Sequence, residues 1–219
     1  MNPLKCRIGL DDTDHIEVGC TTSSFDHLLT AICERMECHI TERRLVRLWP
    51  FAHRRTRGNG ALGAILEIPE DSAEHLEQIC NEWFSNLLVE ISNYPFSEIA
   101  TSPCLVISFF PVPKDWYWDA VRKNVDSDAL LDEAIQNGVI VIRSDSTFGV
   151  VGACAAISWT KNHNSSWELI SWRDKSRVGT PRKVSSESVS ELETQFPETF
   201  LNRDPTKGKS MIAPRTPCP

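Results

Sequence analysis

The sequence predicts an α+β fold of two α/β-sandwich domains, and three observations carry that prediction. Short apolar runs of strand character alternate with longer stretches whose apolar residues recur at steps of three and four. The first half reads βαββαβ without interruption, the split-βαβ (ferredoxin-like) topology. After a Pro-containing connection, Pro111 to Lys114, a further series of helix- and strand-like segments follows. The 219 residues suffice for two modest domains or one large one; two are expected here, 1–112 and, beginning with linker helices, 113–219.

Cys6 to Leu10 reads as the first strand. Thr21 to about Glu37 reads as a helix, because Phe25, Leu28, Leu29, Ile32, Cys33 and Met36 fall on one face and a Thr/Ser run precedes them as N-cap material. Leu45 to Leu48 is a second strand, the polar stretch Trp49 to Gly60 a loop, and Ala61 to Ile68 a third strand. Pro69 and Asp71-Ser72 stop that strand and start a helix that buries Ala73, Leu76, Ile79, Cys80, Trp83, Leu87, Leu88 and Ile91. Cys104 to Phe110 is the fourth strand. Asp115 to Gly138 is helical in two pieces broken near Asp126-Ser127, with Ser127 capping the second and Gly138 ending it. Val139 to Ile142 is a strand, and Gly149 to Ile157 is either a tightly packed helix or a strand, which periodicity does not separate. Trp167 to Trp172 and Arg182 to Ser185 read as strands and Glu187 to Gln195 as a helix, so a second βαββαβ series is open. Asn202 to Pro219, rich in Pro, Lys and Arg, reads as irregular.

Composition narrows the function classes. Apolar residues make up 41% and charged residues 24%, ordinary for a soluble globular protein, and no run approaches a membrane span. Met1 to Lys5 is no signal peptide. The net charge of −7 makes the chain a poor stand-alone nucleic-acid binder, since phosphate contacts need Lys and Arg. Eight cysteines form no C-x-x-C pair, the usage of a reducing, cytoplasmic compartment. Cys33, Cys80 and Cys154 read as small core residues, and Cys20 as a packing or backbone-geometry residue.

One stretch concentrates chemistry. Ile8-Gly9-Leu10 runs straight into Asp11, Asp12 and Asp14. Acids just past the carboxyl end of a strand sit where open α/β sheets bind ligands. Three crowded carboxylates raise one another's pKa, and a divalent cation such as Mg²⁺ relieves that repulsion. The plainer reading is a solvated acidic turn. Gly19-Cys20-Thr21-Thr22-Ser23-Ser24 follows, and a helix N-terminus there suits a phosphate, where simple capping explains only one of the four hydroxyls. His15, within the acidic loop, is a candidate metal neighbour, although a lone histidine is more often solvated or core.

A second, basic stretch complements it. Arg54-Arg55-Thr56-Arg57-Gly58-Asn59-Gly60 offers forked donors for phosphate oxygens, and glycines that let backbone N–H groups approach an anion. Against this stands a Gly-Asn-Gly turn with a solvated charge run. A hairpin needs no such length, and long ordered loops are usually functional. In a split-βαβ sheet strands 1 and 3 are neighbours, which would let both loops share one end of it, provided the long loop folds back. There is no G-x-x-x-x-G-K-[ST], hence no P-loop. The cluster Trp116, Tyr117, Trp118 is either a base-stacking surface or, more simply, a packed amphipathic helix.

Ile-Gly-Leu-Asp-Asp-Thr-Asp at 8–14, Gly-Cys-Thr-Thr at 19–22, Arg-Leu-Val-Arg-Leu at 44–48 and Thr-Arg-Gly-Asn-Gly-Ala at 56–61 together resemble the tRNA-Ile 2-agmatinylcytidine synthetase family. Gly149 to Ile157, Trp167-Glu168-Leu169-Ile170 with Arg173, and Ile212-Ala213-Pro214 ahead of Pro217-Cys218-Pro219 fall in that family's order, so the resemblance covers essentially the whole chain. It implies an enzyme that uses ATP and Mg²⁺ to phosphorylate the wobble cytidine of an isoleucine tRNA at the oxygen on carbon 2, after which agmatine displaces the phosphate. It implies a kinase-like ATP/Mg-binding domain in 1–112 and a ferredoxin-like domain in 113–219. Carried over, Asp11, Asp12 and Asp14 hold Mg²⁺ and phosphates, Thr21 matches a phosphorylated threonine, and Gly19, Thr22, Arg57, Gly58, Asn59 and Gly60 line the nucleotide site.

The family continues past Pro-Cys-Pro into an OB-fold and a zinc ribbon that grip the tRNA, so tRNA binding is expected to be weak or absent without them. The approach to Thr56, Trp49 to Arg55, departs from the family's more apolar, Asn-containing pattern, and His15 stands where a serine is common. The alternative is an ATP-dependent kinase or amine ligase acting on a small molecule, without tRNA. A non-enzymatic nucleotide-binding module is the third reading.

Overall fold

In the computed structural model, residues 3–56 and 58–158 are described, with Thr194, Arg203–Asp204 and Lys209–Ser210. The chain divides into two units, Met1–Thr160 and Lys161–Pro219. In the first, β1 (Leu4–Asp11), α1 (Thr21–Arg35), β2 (His39–Arg47), β3 (Gly60–Ile68), α2 (Ala73–Ile91) and β4 (Cys104–Ser108) realise the expected βαββαβ order. The helices α3 (Asp115–Arg122) and α4 (Ser127–Gln136), the strand β5 (Ile140–Arg143) and the helix α5 (Gly149–Ser158) follow. The sheet order is β2-β3-β1-β4-β5, every neighbouring pair antiparallel. Its first four strands are the split-βαβ arrangement, and β5 extends the β4 edge. In the second unit, β6 (Arg203–Asp204) pairs antiparallel with β7 (Lys209–Ser210).

Alternation along the strands sorts the two faces. Cys6, Ile8 and Leu10 are fully buried and pair in register with Leu66, Ala64 and Leu62. This face takes the buried stripes of α1 (Phe25, Leu28, Leu29, Ile32) and α2 (Leu76, Ile79, Cys80, Phe84, Leu87). The opposite face carries α5, and glycine makes that possible. A Cβ on Gly9 would lie 2.3 Å from the Ala153 carbonyl oxygen, and one on Gly63 2.6 Å from that of Ala156. The helix backbone therefore rests directly on the sheet. Cys104, Val106, Trp116, Leu130, Ala134, Val150, Ala153, Cys154 and Ile157 close a second core there. Sandwiched between the sheet and α3 and α4, α5 is buried almost all round, which is why its sequence shows no polar face.

Several expectations are corrected. The second strand begins at His39, six residues before Leu45, because β2 is an edge strand whose outward positions are polar or charged. Phe84, not Trp83, is buried in α2, and α1 ends at Arg35 with Cys33 exposed. Asp126 caps α4, accepting the Asp128 and Ala129 N–H groups, where Ser127 was expected. The segment 149–158 is a helix. The strand at 139–142 and this helix complete the first unit rather than starting a second βαββαβ series, so the boundary expected at 112/113 falls inside that unit. Expectations for 167–172, 182–185 and 187–195 fall outside the described residues.

Candidate functional site

The carboxyl end of β1 delivers its acids to three sets of neighbours. Asp11 is the last strand residue, paired with Cys104 of β4. Its Oδ2 lies 1.9 Å from where a Cβ on Gly152 would be, so α5 makes room for the carboxylate by carrying glycine there. Burial, then the charges of Asp12 and Asp14, hold its carboxyl well above the usual range. Asp12 turns the chain with φ 53°, one of the few residue types that tolerate the left-handed region. Its Oδ2 accepts the Ser102 N–H at 3.2 Å and stands 3.7 Å from the Arg54 guanidinium. Burial pushes its pKa to about 6 against the pull of Arg54, with Asp14 adding to the rise.

Asp14 is where the two loops meet. Its Oδ1 accepts from Thr21 Oγ1 at 3.1 Å and from Thr56 Oγ1 at 2.9 Å. Thr101 Oγ1 donates to its backbone oxygen at 3.4 Å. The Asp14 carboxylate thus ties the start of α1 to the basic loop, and its backbone oxygen ties both to the entry of β4. Thr21 is buried and is the first residue of α1. The N-cap is Cys20, whose own side chain makes no cap hydrogen bond, which corrects the expectation of a Thr/Ser cap. Gly19 has φ +74°, and a Cβ there would lie 2.5 Å from the Tyr94 hydroxyl, so both backbone and space demand glycine.

The basic loop folds back on itself before it reaches the acids. Asn59, at φ 41°, donates Nδ2 to the Trp49 oxygen at 2.6 Å, and the Leu48 N–H donates to Asn59 O at 3.0 Å. Arg47 donates to the Gly58 oxygen at 2.8 Å. The Trp49 N–H donates to Ala120 O at 2.8 Å, anchoring the loop to α3. Gly58, Asn59 and Gly60 therefore sit at the closed base of the loop, and the Asn59 amide is committed to it. Arg57 lies outside the described residues. Arg54 is the arginine that meets the acids: besides Asp12 it donates to the Ala100 oxygen and lies over the Phe148 ring, 4.3 Å from its centroid.

Among the described residues, no group of three or more His, Cys, Asp or Glu side chains is gathered to hold a metal. The hard oxygen donors still suit Mg²⁺, which commonly takes one or two carboxylates and completes its shell with water and substrate phosphates. Sequence reasoning missed Ser102 and Thr101. Their signal was topological: β4 runs antiparallel to β1, so its entry loop must lie beside Asp11. Arg54 and Thr56 were legible only as members of a charge run. Trp116 is buried and donates Nε1–H to Glu133, which assigns it to packing rather than base stacking.

An antiparallel split-βαβ sheet whose acidic and basic loops share one end places the chain among α+β sandwich proteins with a composite site at the head of the first helix. The TiaS TCKD domain model matches residues 7–145 and the TiaS FLD domain model residues 147–219. The chain belongs to the TiaS family. It is 30% identical over 218 residues to the isoleucine-tRNA 2-agmatinylcytidine synthetase TiaS of Cenarchaeum symbiosum, covering 98% of this chain and 47% of that protein. With the same enzyme of Methanopyrus kandleri the identity is 31% over 219 residues, covering 97% and 48%. A solved complex of TiaS with isoleucine tRNA, AMPCPP and agmatine shares the fold with a TM-score of 0.67 at 24% identity, over 99% of this chain and 51% of that one. The chain spans about half the length of the curated relatives it matches.

Proposed function

We propose that this chain carries the ATP-dependent chemistry of a ligase that activates the wobble cytidine of an isoleucine tRNA by phosphorylation and joins agmatine to it. The single observation that carries the reading is Asp14, whose Oδ1 joins Thr21 of the helix start to Thr56 of the basic loop. Family membership and the activity named for the relatives support it.

In this reading the triphosphate lies between the two loops. Asp11, Asp12 and Asp14 supply carboxylates for Mg²⁺, which when bound would neutralise phosphate oxygens. Burial raises the pKa of both Asp11 and Asp12, and a bound cation would hold them as carboxylates. Arg54 and Arg57 offer guanidinium donors, Gly58 to Gly60 shape the loop that presents them, and the N–H groups from Gly19 to Thr22 meet a phosphate at the head of α1. Thr21 is the phosphoryl acceptor: its hydroxyl already donates to Asp14 Oδ1, which orients the oxygen lone pairs away from the carboxylate and gives the proton a place to go. Catalysis is then electrostatic clamping of a phosphoryl group in transit. Free thiols at Cys6, Cys33, Cys80 and Cys104 suit a reducing cytoplasm, and no described helix is long and apolar enough to cross a membrane.

Incubation with γ-labelled ATP and Mg²⁺ tests this. Label should appear on Thr21, be absent in Thr21→Ala, and pass to tRNA when isoleucine tRNA is added. Absence of both nucleotide binding and label transfer would refute the reading. Transfer to a small molecule, with no tRNA retained on a filter, would favour a small-molecule kinase or amine ligase instead.

A further inference from the structure

His15 lies in the acidic loop and is only 2% exposed. Its backbone N–H closes the turn onto the Val18 oxygen at 2.9 Å. The Glu17 N–H donates to its Nδ1 at 3.1 Å. A ring nitrogen that accepts an N–H carries no proton, so the proton of this neutral imidazole sits on Nε2. That Nε2 is buried and has no hydrogen-bond partner among the described residues. Thr13 Oγ1 and Ser102 Oγ, both on fully buried residues, share that condition, as does Arg54 Nε. Ser102 already holds Asp12 through its N–H. Buried donors are almost always paired in folded proteins, so unpaired donors on the chain neighbours of Asp14 and on the residues that contact Asp12 mark where an acceptor-rich partner from outside the chain completes the set.

Resting on the nucleotide reading above, we propose that His15 is a binding residue of the triphosphate site, donating its Nε2–H to a phosphoryl oxygen. The Glu17 N–H is the device that fixes it as a donor, by occupying the other ring nitrogen. The Tyr94 ring, 6.2 Å away between centroids and tilted by 58°, flanks the imidazole, and its hydroxyl packs at Gly19. The ring therefore adds a neutral donor to a site whose other named donors are guanidinium groups and backbone N–H.

Calorimetric titration of the full chain with Mg·ATP, with magnesium triphosphate and with adenosine tests it. His15→Phe keeps a ring without the donor and should weaken both phosphate ligands about tenfold, the scale of one hydrogen bond to a charged acceptor. Adenosine binding should not change, and His15→Gln, whose amide N–H reaches a similar point, should recover most of the loss. In the ¹H–¹⁵N imidazole spectrum of the unmutated chain, His15 should appear as the Nε2–H tautomer, and that proton should move with triphosphate but not with adenosine. The proposal is overturned by a folded His15→Phe that binds triphosphate normally, by equal losses for ATP and adenosine, or by an Nδ1–H tautomer. Should His15→Phe fail to fold, His15→Gln and the spectrum decide. A wild-type chain that binds no triphosphate would overturn the nucleotide reading and this proposal together, whereas normal wild-type binding with an unaltered variant overturns this one alone.

Discussion

Asp12→Asn should make the ligand-free protein more stable at neutral pH. Burial raises the Asp12 pKa from its ordinary 3.8 to about 6 despite the neighbouring Arg54. A raised carboxyl pKa means that the folded state binds the proton more tightly than the unfolded chain. The stability this brings is fully present below pH 3.8 and is lost as pH rises through about 6. Above that, folding must hold an anion in an unfavourable place, at a cost of about 3 kcal/mol by the ordinary conversion. Water entry and relaxation reduce this to about 2 kcal/mol. Asparagine keeps an acceptor for the Ser102 N–H and carries no charge. Urea unfolding of both proteins from about pH 4 to 8, without nucleotide or metal, measures the gap. The variant should lead by about 2 kcal/mol at about pH 7.5 and converge on wild type toward about pH 4. A gap of zero, a reversed sign at the alkaline end, or a gap independent of pH would refute the claim that Asp12 is held against its electrostatic preference.

Other outcomes follow from the same structure. Gly9→Ala puts a Cβ 2.3 Å from a backbone oxygen of α5, which cannot swing aside as a side chain would; it should cost about 2–3 kcal/mol in thermal or urea unfolding. Asp126→Ala removes the acceptor of two N–H groups at the start of α4 and should cost about 1 kcal/mol. Iodoacetamide should label exposed Cys33 well before buried Cys6, Cys80, Cys104 and Cys154, whose thiols burial pushes up, to about 12 for Cys80 and Cys154. Peptide mass spectrometry reads the order, which denaturant should abolish.

What was legible in the sequence was what local pattern encodes. The stripes Phe25-Leu28-Leu29-Ile32 and Leu76-Ile79-Cys80 announced α1 and α2, and the apolar runs at 6–10, 61–68 and 104–108 announced three strands. The first half of β2 was not legible because an edge strand with exposed His39, Thr41 and Arg43 carries no apolar signature. Helix α5 was ambiguous because its conformation follows from what surrounds it, and no periodicity survives burial on every side. Phe84 displaced Trp83 by one position, an error of about 100° on a helix. At the site, the acids and the basic loop were visible, but their junction through Asp14, Thr21 and Thr56 was not, since no spacing rule links positions 42 residues apart.

The central claim is that the acidic loop and the basic loop close together on one magnesium-bound triphosphate. Amide hydrogen exchange of the full chain, with and without Mg·ATP, tests it most directly. The account predicts that peptides spanning 11–24 and 49–60 gain protection together and at the same ATP concentration. Protection of one segment without the other, or of neither under conditions where ATP demonstrably binds, would contradict it.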